Sequence, residues 1–252
     1  MKIPANGFTH AGKFHADDVF ATALLQIIRP DIRITRGFVV PDDFDGIVYD
    51  IGFGMFDHHQ EPREYRANGI PYAAFGLLWR VLGPGLVGER QARLIDENFI
   101  QPLDLNDNTG EQNSLCDAIG FFNPVWDSKE DQDTCFFKAV AVAKQILENQ
   151  IASANAVNRA DEKVQQRRET ADRLAREYHA DGIIYEQMKY CDYWGFERAL
   201  VSHIMHEEYD WPVLSIDRLY NNGNSGQLRT RVQAFVESLE IKKLHKQNGG
   251  AN

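Results

Sequence analysis

The sequence predicts an α/β protein with a mostly parallel sheet, a long connecting helix and a smaller α+β region at the C-terminal end. Three observations carry that expectation. In the first half, short apolar runs ending on histidine or aspartate alternate with helical stripes. One amphipathic stretch then runs far beyond the usual length of a helix in a globular protein. After it the texture changes to short β-type runs separated by polar turns. In open α/β sheets ligands gather beyond the carboxyl ends of the strands, so strand-end residues are the first candidates for function.

Residues 3–9 read as the first strand, which ends at His10. From Asp17 the residues Val19, Phe20, Ala23, Leu24, Ile27 and Ile28 have helical spacing, and Pro30 stops the helix. Asp17 or Asp18 is placed to cap it. Ile32-Arg33-Ile34-Thr35-Arg36 alternates like a strand, and residues 46–51 form a more continuous apolar one, as when both faces are covered. Residues 72–82 and 86–100 read as helices with Gly83-Pro84-Gly85 as the break. An acidic pair, Asp104 and Asp107, follows. A ligand cluster and a plain Asp-Asn-Thr-Gly turn explain it about equally well.

The long stripe comprises Phe136, Val140, Ala143, Leu147, Ile151 and Ala154, and Val157, Val164, Leu174 and Tyr178 extend it. Unbroken, it would span roughly 60 Å at 1.5 Å per residue. Arg159, Arg167, Arg168 and Arg173 alternate with acids along it, the pattern of a solvated face on a connector. Beyond it, Ile183–Tyr185, Trp211–Ile216 and Gln227–Val232 read as strands, with a hairpin loop from Asn221 to Gly226. The tail from Leu239 is expected to fray. The domain expectation is therefore 1–130, 131–178 and 179–252.

Composition bounds the function. A chain of 252 residues holds one large domain or two modest ones. Its 43% hydrophobic and 25% charged residues are those of an ordinary globular protein. No run approaches the ~18 apolar residues of a membrane span, and Met1 to Asn6 begins no secretory signal. Cys116, Cys135 and Cys191 lack C-x-x-C spacing and read as reduced thiols, so a cytoplasmic location without membrane association is expected. The net charge of −10 argues against coating nucleic acid through a broad basic face. Acidic metal ligands are compatible with it, because a bound cation offsets them. Cationic help for a phosphate must then be local.

Four of the eight histidines fall in Thr9-His10-Ala11-Gly12-Lys13-Phe14-His15-Ala16-Asp17-Asp18 and Asp57-His58-His59-Gln60. Between them Gly46-Ile47-Val48-Tyr49-Asp50 is an apolar run that stops on a carboxylate. Imidazole with carboxylate suits Mn, Fe, Zn or Mg, whereas thiolate would select softer metals. Singly, each segment is as well explained by surface histidines or an ordinary turn. Together, in strand-then-ligand order, they point to one polynuclear metal site.

These segments resemble the melanocyte-proliferating-gene-one exonuclease family, which is related to the DHH phosphoesterases. The likeness continues through Asp104-x-x-Asp107-Asn108, Phe122-Asn123-Pro124-x-Trp126, Asp131-Gln132-Asp133 and Phe137-Lys138-Ala139. Tyr193-Trp194 and the Gln227–Val232 strand are compatible with a shortened family C-terminal domain. The loop between Asp50 and Asp57 is shorter than the family's and lacks its Gly-Gly pair. Asp-Asn-Thr-Gly replaces Asp-Asn-Gly, and Tyr72-Ala73-Ala74-Phe75-Gly76-Leu77 stands where Ser-Ser-Ala-Gly-Leu is usual.

The resemblance implies a DHH-like catalytic domain holding two divalent cations, Mn²⁺ foremost, with Mg²⁺, Fe²⁺ and Zn²⁺ as alternatives. It assigns His10, His15 and Asp50 to one metal, and Asp17, Asp50, His58 and either Asp104 or Asp107 to the other. Asp50 would bridge them, Asp57 would orient His58, and His59 would touch the phosphoryl group. Arg198, Arg218, Arg229 and Arg231 read as scattered surface charges, or as phosphate contacts with Arg229 and Arg231 foremost. The implied reaction is phosphodiester hydrolysis by direct attack of hydroxide, on RNA or short oligonucleotides. The alternatives are a phosphohydrolase of dinucleotides or polyphosphates and a non-catalytic metal-binding scaffold. A homo-oligomer is compatible with the sequence.

Overall fold

A computed structural model of the chain describes residues 1–218 and 225–249, with the side chains of 192–196, 199, 225 and 246–249 outside the description. The chain divides into two compact units, Met1–Asn158 and Arg159–Asn252. The division falls inside the long helix expected as a connector, so that helix contributes to both.

The first unit is organised on β1 (Asn6–His10), the central strand of a parallel sheet ordered β2-β1-β3. β2 (Arg33–Gly37) pairs along its whole length, with His10 opposite Gly37. β3 (Ile47–Val48) is much shorter than the expected 46–51 strand. Tyr49 adds a single bridge to Phe56, and Asp50 then turns the chain away with φ 56°. A left-handed aspartate is uncommon, and such conformations concentrate at functional sites.

Between β1 and β2 runs α1 (Ala16–Ile28), buried continuously from Ala16 to Leu25. Its apolar residues join the core shared with later helices of this unit and with Ile47 and Tyr49 at the sheet edge. Asp18 accepts from the His15 backbone N–H at 2.9 Å, so the helix start is held by Asp18 rather than Asp17. Phe20 stacks on Phe75 with ring centroids 5.5 Å apart, joining α1 to α2 (Ala74–Ile95).

α2 corrects the expected break at Gly83-Pro84-Gly85. The helix passes through Pro84, and the backbone leaves helical geometry at Gly88, φ 76° and ψ 158°. Trp79 covers Gly83 and donates to the Ala92 carbonyl at 3.0 Å, so packing holds the first segment together and displaces the interruption. A π-helical turn, Asp96–Ile100, leads into α3 (Gln101–Thr109), which ends on Gly110 at φ 75°. The acidic pair thus lies within a helix. α4 (Ser114–Gly120) follows, and the first part of α5 (Gln132–Glu177) buries Phe136, Ala139, Val140, Ala143 and Leu147 in the same core.

The second unit differs from the expected α+β hairpin region. β4 (Ile183–Met188) and β5 (Val213–Arg218) pair in parallel, with α6 (Asp192–Glu207) between them in sequence. Parallel neighbours need such a crossover, so this is an α/β unit. The Gln227–Val232 strand is instead part of α7 (Ser225–Gly249). Phe235 and Leu239 of that helix pack against Gly182, and their four-residue spacing is a helical signal that the β-type window hid. The tail expected to fray from Leu239 continues the helix to Gly249. The expected hairpin residues Asn221 to Asn224 and the last three residues lie outside the described part.

Candidate metal centre

The N-terminal ligand segment is held in place by residues distant in sequence. Gly12, at φ 86°, lets the chain reverse after β1. Arg36 donates to the Gly12 carbonyl at 2.8 Å and to Asp133 at 2.7 Å, with its guanidinium 4.2 Å over the Phe136 ring. Asn123 grips the Phe14 backbone from both sides, accepting from its N–H at 3.1 Å and donating to its carbonyl at 2.9 Å. His10 is thereby fixed at the end of β1, while Asp17 and Asp18 enter from the first turn of α1.

His10 Nδ1 lies 3.0 Å from the Ala11 carbonyl, the geometry of a donated hydrogen bond, which leaves Nε2 to face the site. There it stands 3.2 Å from Asp18 Oδ2 and 3.1 Å from Asp50 Oδ2. His58, itself buried, reaches Asp107 Oδ2 through Nε2 at 2.9 Å. Its Nδ1 faces Asp50 Oδ1 at 3.3 Å and Asp17 Oδ2 at 4.0 Å. With the proton on Nε2, the free Nδ1 lone pair points at two anionic oxygens.

Asp17 Oδ1, Asp18 Oδ2, Asp50 Oδ1 and His58 Nδ1 are buried without a well-aligned hydrogen-bond partner, the facing imidazole and carboxylate atoms aside. Such groups cost about 1–3 kcal/mol each when left unmade. Among the described residues, the ion pairs of Asp17, Asp18, Asp50 and Asp107 are with histidines. A cation placed among these atoms would satisfy them together. Three groupings have ligand atoms mutually within 4.8 Å: His10, Asp18 and Asp50; His15, Asp17 and Asp107; and Asp50, Asp57, His58 and His59. The donor set is oxygen and imidazole throughout, suited to Mn, Fe, Zn or Mg.

The electrostatics follow. Burial, reinforced by the neighbouring carboxylates Asp107 and Asp50, drives Asp17 well above the ordinary carboxylate range. Burial likewise raises Asp18. For His10 burial alone would favour the neutral ring, but Asp18 and Asp50 outweigh it and hold the group up at about 10. Burial opposes ionisation of Asp107 too, yet His58 and His15 bring it below its usual value. The shifts of His10, Asp17 and Asp18 share one sense: the packed carboxylates favour positive charge among them.

Asp104 is brought elsewhere. It is fully buried, its Oδ2 accepting from Arg66 at 2.7 Å and its Oδ1 from the Gly76 N–H at 3.2 Å. Burial pushes this carboxyl up to about 7 even with Arg66 beside it. A Cβ on Gly76 would fall on Asp104 Oδ2, so the glycine makes room for the pair. Both Asp104 oxygens are engaged, and Asp107 is the member of the pair that joins the centre.

Two further placements differ from expectation. His15, more than half exposed, lies 3.5 Å from Asp107 rather than beside Asp50. Asp57 holds His59 instead of His58: its Oδ1 meets His59 Nδ1 at 2.8 Å and accepts the His59 backbone N–H at 3.0 Å. Its Oδ2 accepts from Phe53 N at 2.7 Å. Although burial works against it, these contacts hold Asp57 down at about 2, while Asp57 raises His59.

Sequence reasoning missed Asp18 as a candidate ligand, because its helix-capping position explained it. It also missed Arg63, which lines the cleft with His59 and Asp107. The demand for local cationic help and its closeness to the Asp-His-His turn were the available signals. Arg229 and Arg231 lie on α7 in the second unit, where Arg231 donates to the Ser215 carbonyl at 2.8 Å. Arg218 pairs with Glu186 at 3.0 Å, and Arg198 pairs with Asp217.

Comparison with known proteins gives two unlike resemblances. The family described as 2-hydroxyglutaryl-CoA dehydratase, D-component, matches residues 121–239. A putative dehydratase subunit, YjiM of Escherichia coli K12, is 28% identical over 74 residues, 29% of this chain and 19% of that protein. The MYG1 protein C694.04c of Schizosaccharomyces pombe is 26% identical over an alignment covering 55% of this chain and 54% of its own. The chain therefore spans about a fifth and about half the length of these curated relatives. No solved structure matches. Among the described residues, no helix is long and apolar enough to cross a membrane.

Proposed function

We propose that the chain is a divalent-metal-dependent phosphodiester hydrolase of the DHH-related kind, acting on RNA or short oligonucleotides. The observation that carries this reading is the convergence of buried atoms without well-aligned partners from Asp17, Asp18, Asp50 and His58. The resemblance of the two histidine segments to the exonuclease family and the likeness to the yeast MYG1 protein support it. The dehydratase family match begins at residue 121, beyond every residue from His10 to Asp107 that forms the centre. That likeness covers none of the candidate ligands, though it includes Asn123, Asp133 and Phe136, which hold the N-terminal ligand segment.

Two cations fit the donor set. His10, Asp18 and Asp50 would hold one, and Asp17, Asp107 and His15 the other, with His58 between them. Bound divalent ions supply Lewis-acid activation of water and neutralise charge on the phosphoryl oxygens. The chain's own residues do the positioning. Asp50 presents one oxygen to each side of the centre. Asp57 fixes His59 Nδ1 so that the outward Nε2 can donate to a phosphoryl oxygen, and Arg63 adds a charged donor at the cleft wall. The net charge of −10 favours short substrates over long polymers held by counterion release.

A metal screen against mixed phosphodiesters tests the reading. Turnover should require a divalent ion, with Mn²⁺ the best activator, and should vanish on Asp50→Asn. Comparing dinucleotides with longer RNA separates a small-molecule phosphohydrolase from an exonuclease. Metal binding without turnover of any phosphodiester would leave a scaffold and end the hydrolase reading.

A further inference from the structure

We propose that the mouth of the cleft is a nucleobase platform, where Phe38 and Phe53 take the flat ring of a nucleotide whose phosphoryl group meets His59 and Arg63. The inference rests on the hydrolase reading and adds to it where the base of a short nucleotide substrate is held.

Phe38 and Phe53 are 79% and 72% exposed, yet both line the same cleft as His59, Arg63 and Asp107. Neither is explained by the core. Phe53 also carries backbone strain, with φ 55°, a conformation that bulky residues rarely adopt. What holds it there is the Asp57 carboxylate, which accepts the Phe53 N–H through one oxygen and orders His59 through the other. One buried side chain thus fixes the aromatic rim and the phosphoryl donor together. Strain held by so specific a contact points to a use for the side chain it presents.

The Phe38 ring lies over Gly12 of the N-terminal ligand segment, 3.4 Å from where a Cβ would stand. Val40, two residues on, packs against Gly52 beside Phe53. The two loops are therefore in contact at their bases while their phenylalanines face solvent. The cleft encloses about 550 Å³, within the range of small-molecule sites. An anion-binding floor with an aromatic rim is complementary to a phosphate joined to a planar ring. Stacking on such a rim tolerates any base, because every base has a π face. An acidic chain without a broad basic surface gains its hold on a short nucleotide this way.

The test measures dissociation constants of adenosine 5′-monophosphate and ribose 5-phosphate in the presence of Mn²⁺. For the unaltered protein the base should tighten binding about tenfold or more. In Phe38→Ala and Phe53→Ala that ratio should collapse toward one, and Phe→Leu at either position should recover only part of it. Calorimetric Mn²⁺ stoichiometry equal to that of the unaltered protein shows that each variant keeps its folded centre. A ratio near one before any substitution, or a ratio untouched by both substitutions, overturns the platform. Phosphodiester turnover equally fast on diesters with and without a nucleobase would sink the platform and leave the hydrolase reading standing. A Phe-dependent ratio without turnover would do the reverse.

Discussion

Asp50 faces two imidazoles through its two oxygens, Oδ2 lying 3.1 Å from His10 Nε2 and Oδ1 3.3 Å from His58 Nδ1. The end of β1 and the Asp-His-His turn meet on this one carboxylate, which the left-handed backbone after β3 aims inward. Its burial makes the arrangement costly without positive charge among its atoms.

That geometry predicts how metal and stability are linked. A ligand that binds only the folded state raises stability, by about 2.7 kcal/mol at a hundred times its dissociation constant. Mn²⁺ should raise the Tm of the unaltered protein, and a chelator should lower it again. Asp50→Asn should remove most of the Mn²⁺ response, because both sides of the centre lose a ligand. Thermal unfolding with and without Mn²⁺ measures this, and an unchanged response in Asp50→Asn would remove Asp50 from the centre.

Asp104 and Asp107 should fail in different ways. Asp104→Ala leaves the buried Arg66 guanidinium with only Asp96 as a carboxylate partner, since Arg66 also pairs with Asp96 at 2.6 Å. Breaking a buried pair on one side costs about 3 kcal/mol, read by denaturant unfolding of metal-free protein at pH 8. Asp107→Asn gives up the charge that pairs with His58 and His15, so it should lower metal-free stability only modestly, by less than Asp104→Ala, while weakening Mn²⁺ binding by at least tenfold. If Asp104→Ala lost metal with its stability intact, the division between the two aspartates would be wrong.

The Asp57–His59 contact makes a statement about pH. His59 titrates above its ordinary 6.5 because Asp57 is beside it, so its stabilising share is full below 6.5 and fades as pH rises through that higher midpoint. Asp57 titrates at about 2 instead of 3.8, so its share is full above 3.8 and fades as pH falls toward 2. The contact is strongest between those limits, in mildly acidic solution. Proton NMR of metal-free protein should place the His59 midpoint above 6.5, and Asp57→Asn should bring it down. No movement would mean that the contact does not form in solution.

Much of the first unit was legible because its signals are local. The run that ends at His10, the stripe from Val19 to Ile28 and the stop at Pro30 each name their element without reference to the rest. What escaped depends on partners far away in sequence. Asp104 and Asp107 look alike until Arg66 claims one of them, and Asp57 looks like an orienting group for its neighbour His58 until the turn directs it to His59. Tertiary packing likewise moved the break in α2 from Pro84 to Gly88. In the second unit the Gln227–Val232 window was too short to separate a period of two from one of 3.6, and the contact of Phe235 and Leu239 with Gly182 lies beyond it.

His58 and His59 are neighbours with different surroundings, and they should fail differently. His58 is 8% exposed with both nitrogens directed at carboxylates, whereas the His59 side chain is 58% exposed and anchored by one nitrogen to Asp57. His58→Ala removes a donor from the floor of the centre, so the apparent affinity for Mn²⁺ should fall and added metal should partly restore the rate. His59→Ala removes a donor to charge that develops on the phosphoryl oxygens. A loss of that kind is worth ~3 kcal/mol, roughly a hundredfold in rate, and extra metal cannot replace it. The His59 variant should keep normal Mn²⁺ stoichiometry and show a low turnover that is flat against Mn²⁺ concentration. A pair of Mn²⁺ titrations on one dinucleotide makes the comparison. The same shifted metal dependence in both variants would make both histidines ligands, and full activity in both would remove the Asp-His-His turn from the chemistry.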